Sequence, residues 1–152
     1  ALSEHCEGDI MIVLNRSTAS KDKELAALKL QTEQQINTLI GEVRGMYITT
    51  LPGQDLIYSA KELEGIDYLK PGSNPSLVDF PFIRAEIGTT GQTGQEVAQV
   101  YLNLSAMWRA LAAQLEQVRL GYIYQVAAAP DAAGVATALG DCDATLGVFR
   151  RV

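Results

Sequence analysis

The longest uninterrupted feature of the sequence is a proline-free stretch from Thr93 to about Ala128. Its bulky apolar residues recur at steps that alternate between four and three, a period close to 3.5 residues that places them on one face of a helix. They are Val97, Tyr101, Leu104, Trp108, Leu111, Leu115, Val118, Tyr122 and Val126. Such a helix would be ~54 Å long. The pattern therefore predicts one long helix that the other elements pack against.

Both ends of this helix carry recognisable signals. Thr93 and Glu96 have the spacing of a capping box, in which each side chain satisfies a free backbone N–H group of the first turn. Pro130 follows Ala128 and Ala129, and proline disfavours helical geometry in the residue before it. We expect the helix to end there.

The rest of the chain also has helical periodicity, which makes the predicted fold class mainly α. We expect helices at about Ser20–Ile48, Gln54–Leu69 and Pro81–Ile87, and a short C-terminal helix from Asp131 to Leu139 that Gly140 ends. The first two are joined by a short connection containing Pro52 and Gly53, which favours antiparallel neighbours in a helical hairpin.

The first residues have a different pattern. The run Asp9–Leu14 is short, apolar and rich in branched residues, which favours an extended strand. A single strand in a helical chain needs a partner edge. We therefore divide the chain into an extended N-terminal docking arm, residues 1–20, and a helical domain, residues 21–152.

Length and charge restrict the function classes. With 152 residues the chain fits one domain with a real core. Its net charge of −6 argues against nucleic acid or an anionic membrane surface as the main partner. No apolar run approaches the roughly 18 residues of a membrane span. Cys6 and Cys142 lie too far apart in sequence for a metal or redox motif, so we expect two reduced thiols, the alternative being a disulfide.

Candidate catalytic groups are few. His5 is the one histidine, and with Cys6 it lacks the further ligands of a zinc site and the third group of a nucleophilic pair. The glycine-rich segment Gly88–Gly94 lacks the lysine and spacing of a phosphate-binding loop. Glu62 and Glu64 point in different directions on a helix, which makes them a poor acid–base pair. We predict no enzyme activity, no catalytic residue, no cofactor and no metal.

Several segments together resemble a group of tailed-bacteriophage virion proteins. The connection reads YITTLPGQD from Tyr47 to Asp55, and Lys61 and Glu62 follow it in the next helix. Further on come the segment FPFI, the turn around AEIGT, Trp108 and the pair Glu116 and Arg119, in the same order as in that group. The resemblance spans about residues 30–139. It implies a helical module of tail-fibre or other tail-associated proteins, with no active site to carry over.

The resemblance and the helical pattern together predict a structural component of a tailed-phage virion. It would be made in the host cytoplasm and attached to the tail or its fibres as a small multi-copy adaptor or fibre subunit. The alternative is a tail-fibre assembly factor or chaperone that leaves the particle. We expect other copies of the chain and other tail or fibre proteins as partners.

The apolar face of the long helix also suits self-association. Few charges flank this face, so a two-stranded zipper is less favoured than a seam covered by the chain's other helices or by several copies. Because the other helices also need burial, we favour an intramolecular helical core over a purely intermolecular coiled coil. The hypothetical assembly interface comprises Ile10, Ile12 and Leu14 in the arm and Tyr101, Trp108, Leu115 and Tyr122 on the long helix.

Overall fold

A computed structural model describes residues 17–49 and 51–150 and shows a mainly α protein. Its helices are α1 (Thr18–Gly45), α2 (Gln54–Tyr68), α3 (Pro81–Glu86), α4 (Gly94–Ala128) and α5 (Ala132–Leu146), with short 3₁₀ turns at Leu77–Asp79 and Gly147–Phe149. The predicted fold class is confirmed. None of these helices is both long enough and apolar enough to span a membrane.

The long helix α4 has the ends that its capping residues predict. The Glu96 backbone N–H donates to the Thr93 hydroxyl at 3.2 Å, and the Thr93 backbone N–H donates to the Glu96 carboxylate at 3.2 Å. The reciprocal capping box is therefore present. At the other end α4 stops at Ala128, two residues before Pro130.

Helix α1 begins at Thr18, with the Ser20 backbone N–H donating to the side chain of Ser17. The last residues of the predicted arm are thus already helical. α1 ends at Gly45, earlier than the predicted Ile48, and Met46 is 43% exposed. The predicted bounds of α2 and α3 are correct to one residue.

The prediction that Gly140 ends the C-terminal helix is wrong. Asp131 caps α5 as expected by accepting the backbone N–H of Gly134 at 2.8 Å, but the helix continues to Leu146. Glycine in a helix interior costs about 1 kcal/mol relative to alanine. Burying a leucine contributes roughly 1.5–3 kcal/mol. Because Cys142 and Leu146 are both fully buried, continuing the helix is favoured.

The predicted hairpin of α1 and α2 is corrected by the packing, since each of these helices lies mainly against α4. Along α1, Lys29 contacts Ala127 and Arg44 contacts Glu116, so α1 runs antiparallel to the C-terminal half of α4. Helix α2 runs antiparallel to the N-terminal half. The short connection keeps the end of α1 near the start of α2. The two helices still do not pair with each other, because the apolar stripe of α4 is long enough for both to pack against it.

Two hydrophobic cores result. The bundle core joins α1, α5 and the C-terminal half of α4, and its buried residues are Ile36, Ile40, Val43, Leu115, Val126, Ala129, Val135, Ala138, Cys142 and Leu146. The minor core joins α2, α3 and the N-terminal half of α4 around Ile83, Val97, Ala98 and Tyr101. One continuous helix therefore connects two separately packed regions.

Helix α2 approaches α4 closely at a glycine. A Cβ atom on the buried Gly65 would lie 3.2 Å from the carbonyl oxygen of Ala98 and 3.3 Å from Leu102 Cδ2. The absence of a side chain lets the two backbones meet at this point. The polar side chains of Lys61, Glu62 and Glu64, which precede Gly65, then reach neighbouring helices.

Candidate interaction surface

The predicted interface residues of α4 do not share one exposed surface. Leu115 is fully buried in the bundle core, and Tyr101 is 5% exposed in the minor core. Trp108 and Tyr122 are half-buried. Tyr122 packs against the bundle core, and its hydroxyl lies 2.7 Å from Thr145 Oγ1. Most of the 3.5-residue stripe is therefore used inside the chain.

The predicted interface residues of the arm are Ile10, Ile12 and Leu14. All three lie outside the residues that the structure describes. Their part in an interface stays a prediction.

Glu62 and Glu64 point to different neighbours, as their spacing predicts. Glu64 accepts the backbone N–H groups of Phe82 and Ile83, each at 3.1 Å, and so ties α2 to the start of α3. Glu62 accepts the Ser105 hydroxyl at 2.6 Å and lies 2.6 Å from Arg109 Nη2. The hydrogen bond from Ser105, helped by the charge of Arg109, lowers the pKa of Glu62. Both carboxylates connect helices.

Glu86, at the end of α3, forms a third connection. It pairs with Lys61 of α2 and accepts the Thr90 hydroxyl at 2.7 Å. Burial alone would raise the pKa of Glu86, but the hydrogen bonds from Lys61 and Thr90 outweigh it and hold the pKa below its ordinary value. Lys61 Nζ also lies 5.2 Å from the ring centroid of Tyr101. Lys61, Glu86 and Thr90 therefore bond to one another within the chain.

The hydroxyl of Tyr101 is the exception in this cluster. It is buried and has no hydrogen-bond partner of acceptable geometry. Burial, followed by the nearby carboxylate of Glu86, raises the pKa of Tyr101 above its ordinary value. The phenol therefore stays neutral at physiological pH.

A second polar cluster joins α1 to α4. The single Nε–H of Arg119 is shared between the two Glu116 carboxylate oxygens, Nη2 donates to the same carboxylate, and Nη1 donates to Asn37 Oδ1 at 3.1 Å. Arg44 Nη2 reaches the same carboxylate at 2.8 Å. The hydrogen bonds from Arg119, with Arg44, lower the pKa of Glu116 to about 2. This cluster fixes the register of α1 on α4.

Two groups among the exposed large apolar side chains of the described residues lie on α2 and in the middle of α4. The α2 outer face consists of Leu56, Leu63 and Ile66, which are 73%, 63% and 44% exposed. The α4 midsection consists of Leu104, Met107 and Trp108, which belong to neither core. Leu104 and Met107 are 55% and 59% exposed. The midsection lies where the two separately packed regions meet.

Sequence reasoning missed the α2 outer face. The helical spacing of Ile57, Ala60 and Tyr68 predicts one apolar side of α2 that includes either Leu63 or Glu64. Glu64 is the member of the Leu63–Glu64 pair that contacts α3, and Leu63 is in solvent. The available signal was Gly65, since a small residue marks the side on which α2 can approach another helix closely.

Two shallow clefts flank α1. One, of about 370 Å³, lies beside Leu25 and Asp131 and has several charged residues in its walls. The other, of about 290 Å³, lies between α1 and α4 beside Leu30 and Ile123. Typical ligand pockets have volumes of ~300–1,000 Å³ and bury most of the ligand, which shallow clefts such as these two do not do. Within the described ranges, no group of three or more His, Cys, Asp or Glu side chains could hold a metal ion.

Comparison with known proteins gave no relative: no protein family, curated protein or solved structure matches this chain.

Proposed function

We propose that the protein is a structural component of a tailed-phage virion, attached to the tail or its fibres as a small multi-copy adaptor or fibre subunit. It works by protein–protein packing and carries out no reaction. Other tail or fibre proteins and other copies of the chain are its partners.

The observation that carries this proposal is the exposed apolar surface of α2 and α4. Isolated exposed leucines are normal on soluble proteins, whereas neighbouring ones on one helix face indicate an interaction site. Leu56 and Leu63 are two turns apart on α2, and Ile66 follows within the next turn. Because all three are exposed, the α2 outer face can pack against a partner without rearrangement of either core.

The residues that carry the resemblance to phage virion proteins support the proposal in a second way. Glu62 connects α2 to α4, and Glu116 with Arg119 connects α4 to α1. Lys61 pairs with Glu86 of α3. These residues hold the helices together. The resemblance to phage virion proteins therefore lies in the contacts that assemble the helical module.

Mass spectrometry of purified virions tests the proposal directly. We expect peptides of this chain in particles purified through a density gradient, at several copies per tail, and no loss of the chain after a high-salt wash. The control is a non-structural protein of the same phage, which must be absent from the same particles.

A chain that is absent from purified particles would overturn the structural role. If deletion of its gene then also leaves particles without functional fibres, the assembly factor becomes the better explanation. If deletion has no effect on particles, both roles are excluded.

A further inference from the structure

From Gln99 onward the outer face of α4 carries no charge, and the exposed Glu96 of the first turn belongs to the capping box. We define this face as the exposed residues that lie on the side of the helix away from α1, α2, α3 and α5: Gln99, Asn103, Ala106, Met107, Ala110, Ala113, Gln114, Gln117, Leu120, Gly121, Tyr124, Gln125 and Ala128. At 100° per residue they cover a continuous arc of about 140°. The face is ~44 Å long by the helical rise.

The ends of the other long helix have a different character. The exposed positions at the ends of α1 include Lys21, Asp22, Lys23, Glu24 and Glu42, whereas its exposed positions from Ala26 to Gly41 are also uncharged. A solvated helix face normally carries such charges. On the exposed part of α4 beyond Gln99, the one charged residue is Arg109, which lies beside the outer face and is paired with Glu62 of α2.

The shape of the outer face also favours contact with another helix. Ala106, Ala110, Ala113 and Gly121 are small and lie along this face, so a second backbone can approach closely at these positions. Leu120 and Tyr124 are 53% and 75% exposed on the same face, and Met107 is 59% exposed. Large exposed apolar side chains beside small residues provide both a close approach and apolar area to bury.

We propose that the outer face of α4 is the surface on which a second copy of this chain docks. This inference rests on the proposed function, because it names the surface through which the copies associate. It also moves self-association away from Tyr101 and Leu115, which the chain's own cores already bury.

Charge is the reason for choosing a second copy as the occupant. Two copies with a net charge of −6 each repel one another over most of their surfaces. An uncharged face can meet its own copy without juxtaposing like charges. The side-chain amides of Gln114 and Gln117 both donate and accept hydrogen bonds, so they can pair with the same groups of a second copy.

The size of the face sets the strength of the contact. Stable interfaces use about 20–30 residues on each side. The outer face supplies fewer, so we expect a dimer that forms reversibly and dissociates on dilution. Neighbouring protomers in an assembly would strengthen it through several simultaneous contacts.

Sedimentation equilibrium over a concentration series tests this inference. The purified 152-residue chain should shift from 16.4 kDa toward twice that mass as concentration rises. The variant Ala110→Glu with Gln117→Glu places like charges on both sides of the contact, and its dissociation constant should increase at least ~100-fold. The matched control, Gln31→Glu with Gln34→Glu, adds the same charge at exposed positions of α1 and should associate like the wild type.

Circular dichroism checks that each variant is folded. If the α4 variant is not, Ala113→Arg serves as the second disrupting variant, since arginine is a good helix former. A wild-type chain that stays monomeric at millimolar concentration would overturn the inference, as would an α4 variant that associates as tightly as the control. Neither outcome bears on the presence of the chain in virions, which the mass spectrometry measures separately.

Discussion

Gly94 lies directly against the phenol ring of Tyr68: a Cβ atom on Gly94 would overlap Tyr68 Oη and lie 2.7 Å from Cζ. The first residue of α4 is therefore packed against the last residue of α2. The ring of Tyr68 is held in turn by an edge-on contact with Phe80, with centroids 5.2 Å apart. The minor core thus depends on a glycine at the start of its longest helix.

We predict that Gly94→Ala destabilises the protein by about 1–3 kcal/mol, because the added methyl group must displace a ring that is itself packed. Urea denaturation of the purified chain measures the change. Gly140→Ala is the matched control, since its Cβ would meet nothing within 4 Å, and we expect it to stabilise α5 by about 0.5–1 kcal/mol. If both substitutions stabilise the chain equally, the close contact with Tyr68 is not real.

The ends of α4 could be predicted from sequence because their causes are local. The capping box at Thr93 and the stop before Pro130 each depend on a few adjacent residues. The end of α5 could not be predicted in this way, because Leu146 is buried against helices that lie far away in sequence. The low helix propensity of glycine favoured an end at Gly140. The burial of residues beyond Gly140 contributes more, so the helix continues.

The pairing of helices could be predicted only in part. The stripe of α4 correctly indicated that other helices cover it, but the short connection between α1 and α2 suggested contact between these two. A short connection limits how far apart two helix ends can lie, whereas the partner of each helix is decided by which apolar faces are available. The exposed α2 outer face was missed for the same reason, since Leu63 and Glu64 are equally compatible with a stripe read without knowledge of the partner.

Tyr101 and Tyr122 of α4 should respond in opposite ways to loss of the hydroxyl group. Tyr101→Phe removes a buried hydroxyl that has no hydrogen-bond partner, so we expect a change between zero and about 1 kcal/mol of added stability. Tyr122→Phe removes the contact with Thr145 and should cost about 1 kcal/mol. Thermal denaturation of the two single variants beside the wild type distinguishes them. A large loss of stability in Tyr101→Phe would show that its hydroxyl has a partner, with Glu86 as the candidate.

Stability should fall in acid because several carboxylates have a lowered pKa in the folded chain. Glu116, held by Arg119 and Arg44, has a pKa of about 2, and the pKa values of Glu62 and Glu86 are also lowered. An unfolded glutamate has a pKa of about 4.3, so the stabilisation is fully present above roughly pH 5. It is lost as the pH falls from there toward about 2.

Urea midpoints measured at intervals from pH 6 to pH 2.5 give this dependence. Glu116→Gln cannot be protonated and loses the charge of its pair, so it should be less stable than the wild type near neutral pH and converge with it in acid. Salt should reduce the difference at neutral pH, because the pair is partly exposed. Parallel curves for the two proteins at every pH would rule out a contribution from this carboxylate.

Substitutions of two leucines distinguish the buried stripe of α4 from the exposed α2 outer face. Leu115 is fully buried in the bundle core, and Leu63 is 63% exposed on the α2 outer face. Leu115→Ala should cost about 2–5 kcal/mol because it leaves a cavity. Leu63→Ala should stay within about 0.5 kcal/mol of the wild type, since leucine and alanine have similar helix propensities and the side chain packs little within the monomer. Urea denaturation at a concentration low enough to keep the chain monomeric measures both changes. A large cost for Leu63→Ala under these conditions would mean that the chain itself covers the α2 outer face, and that this face is not free for a partner.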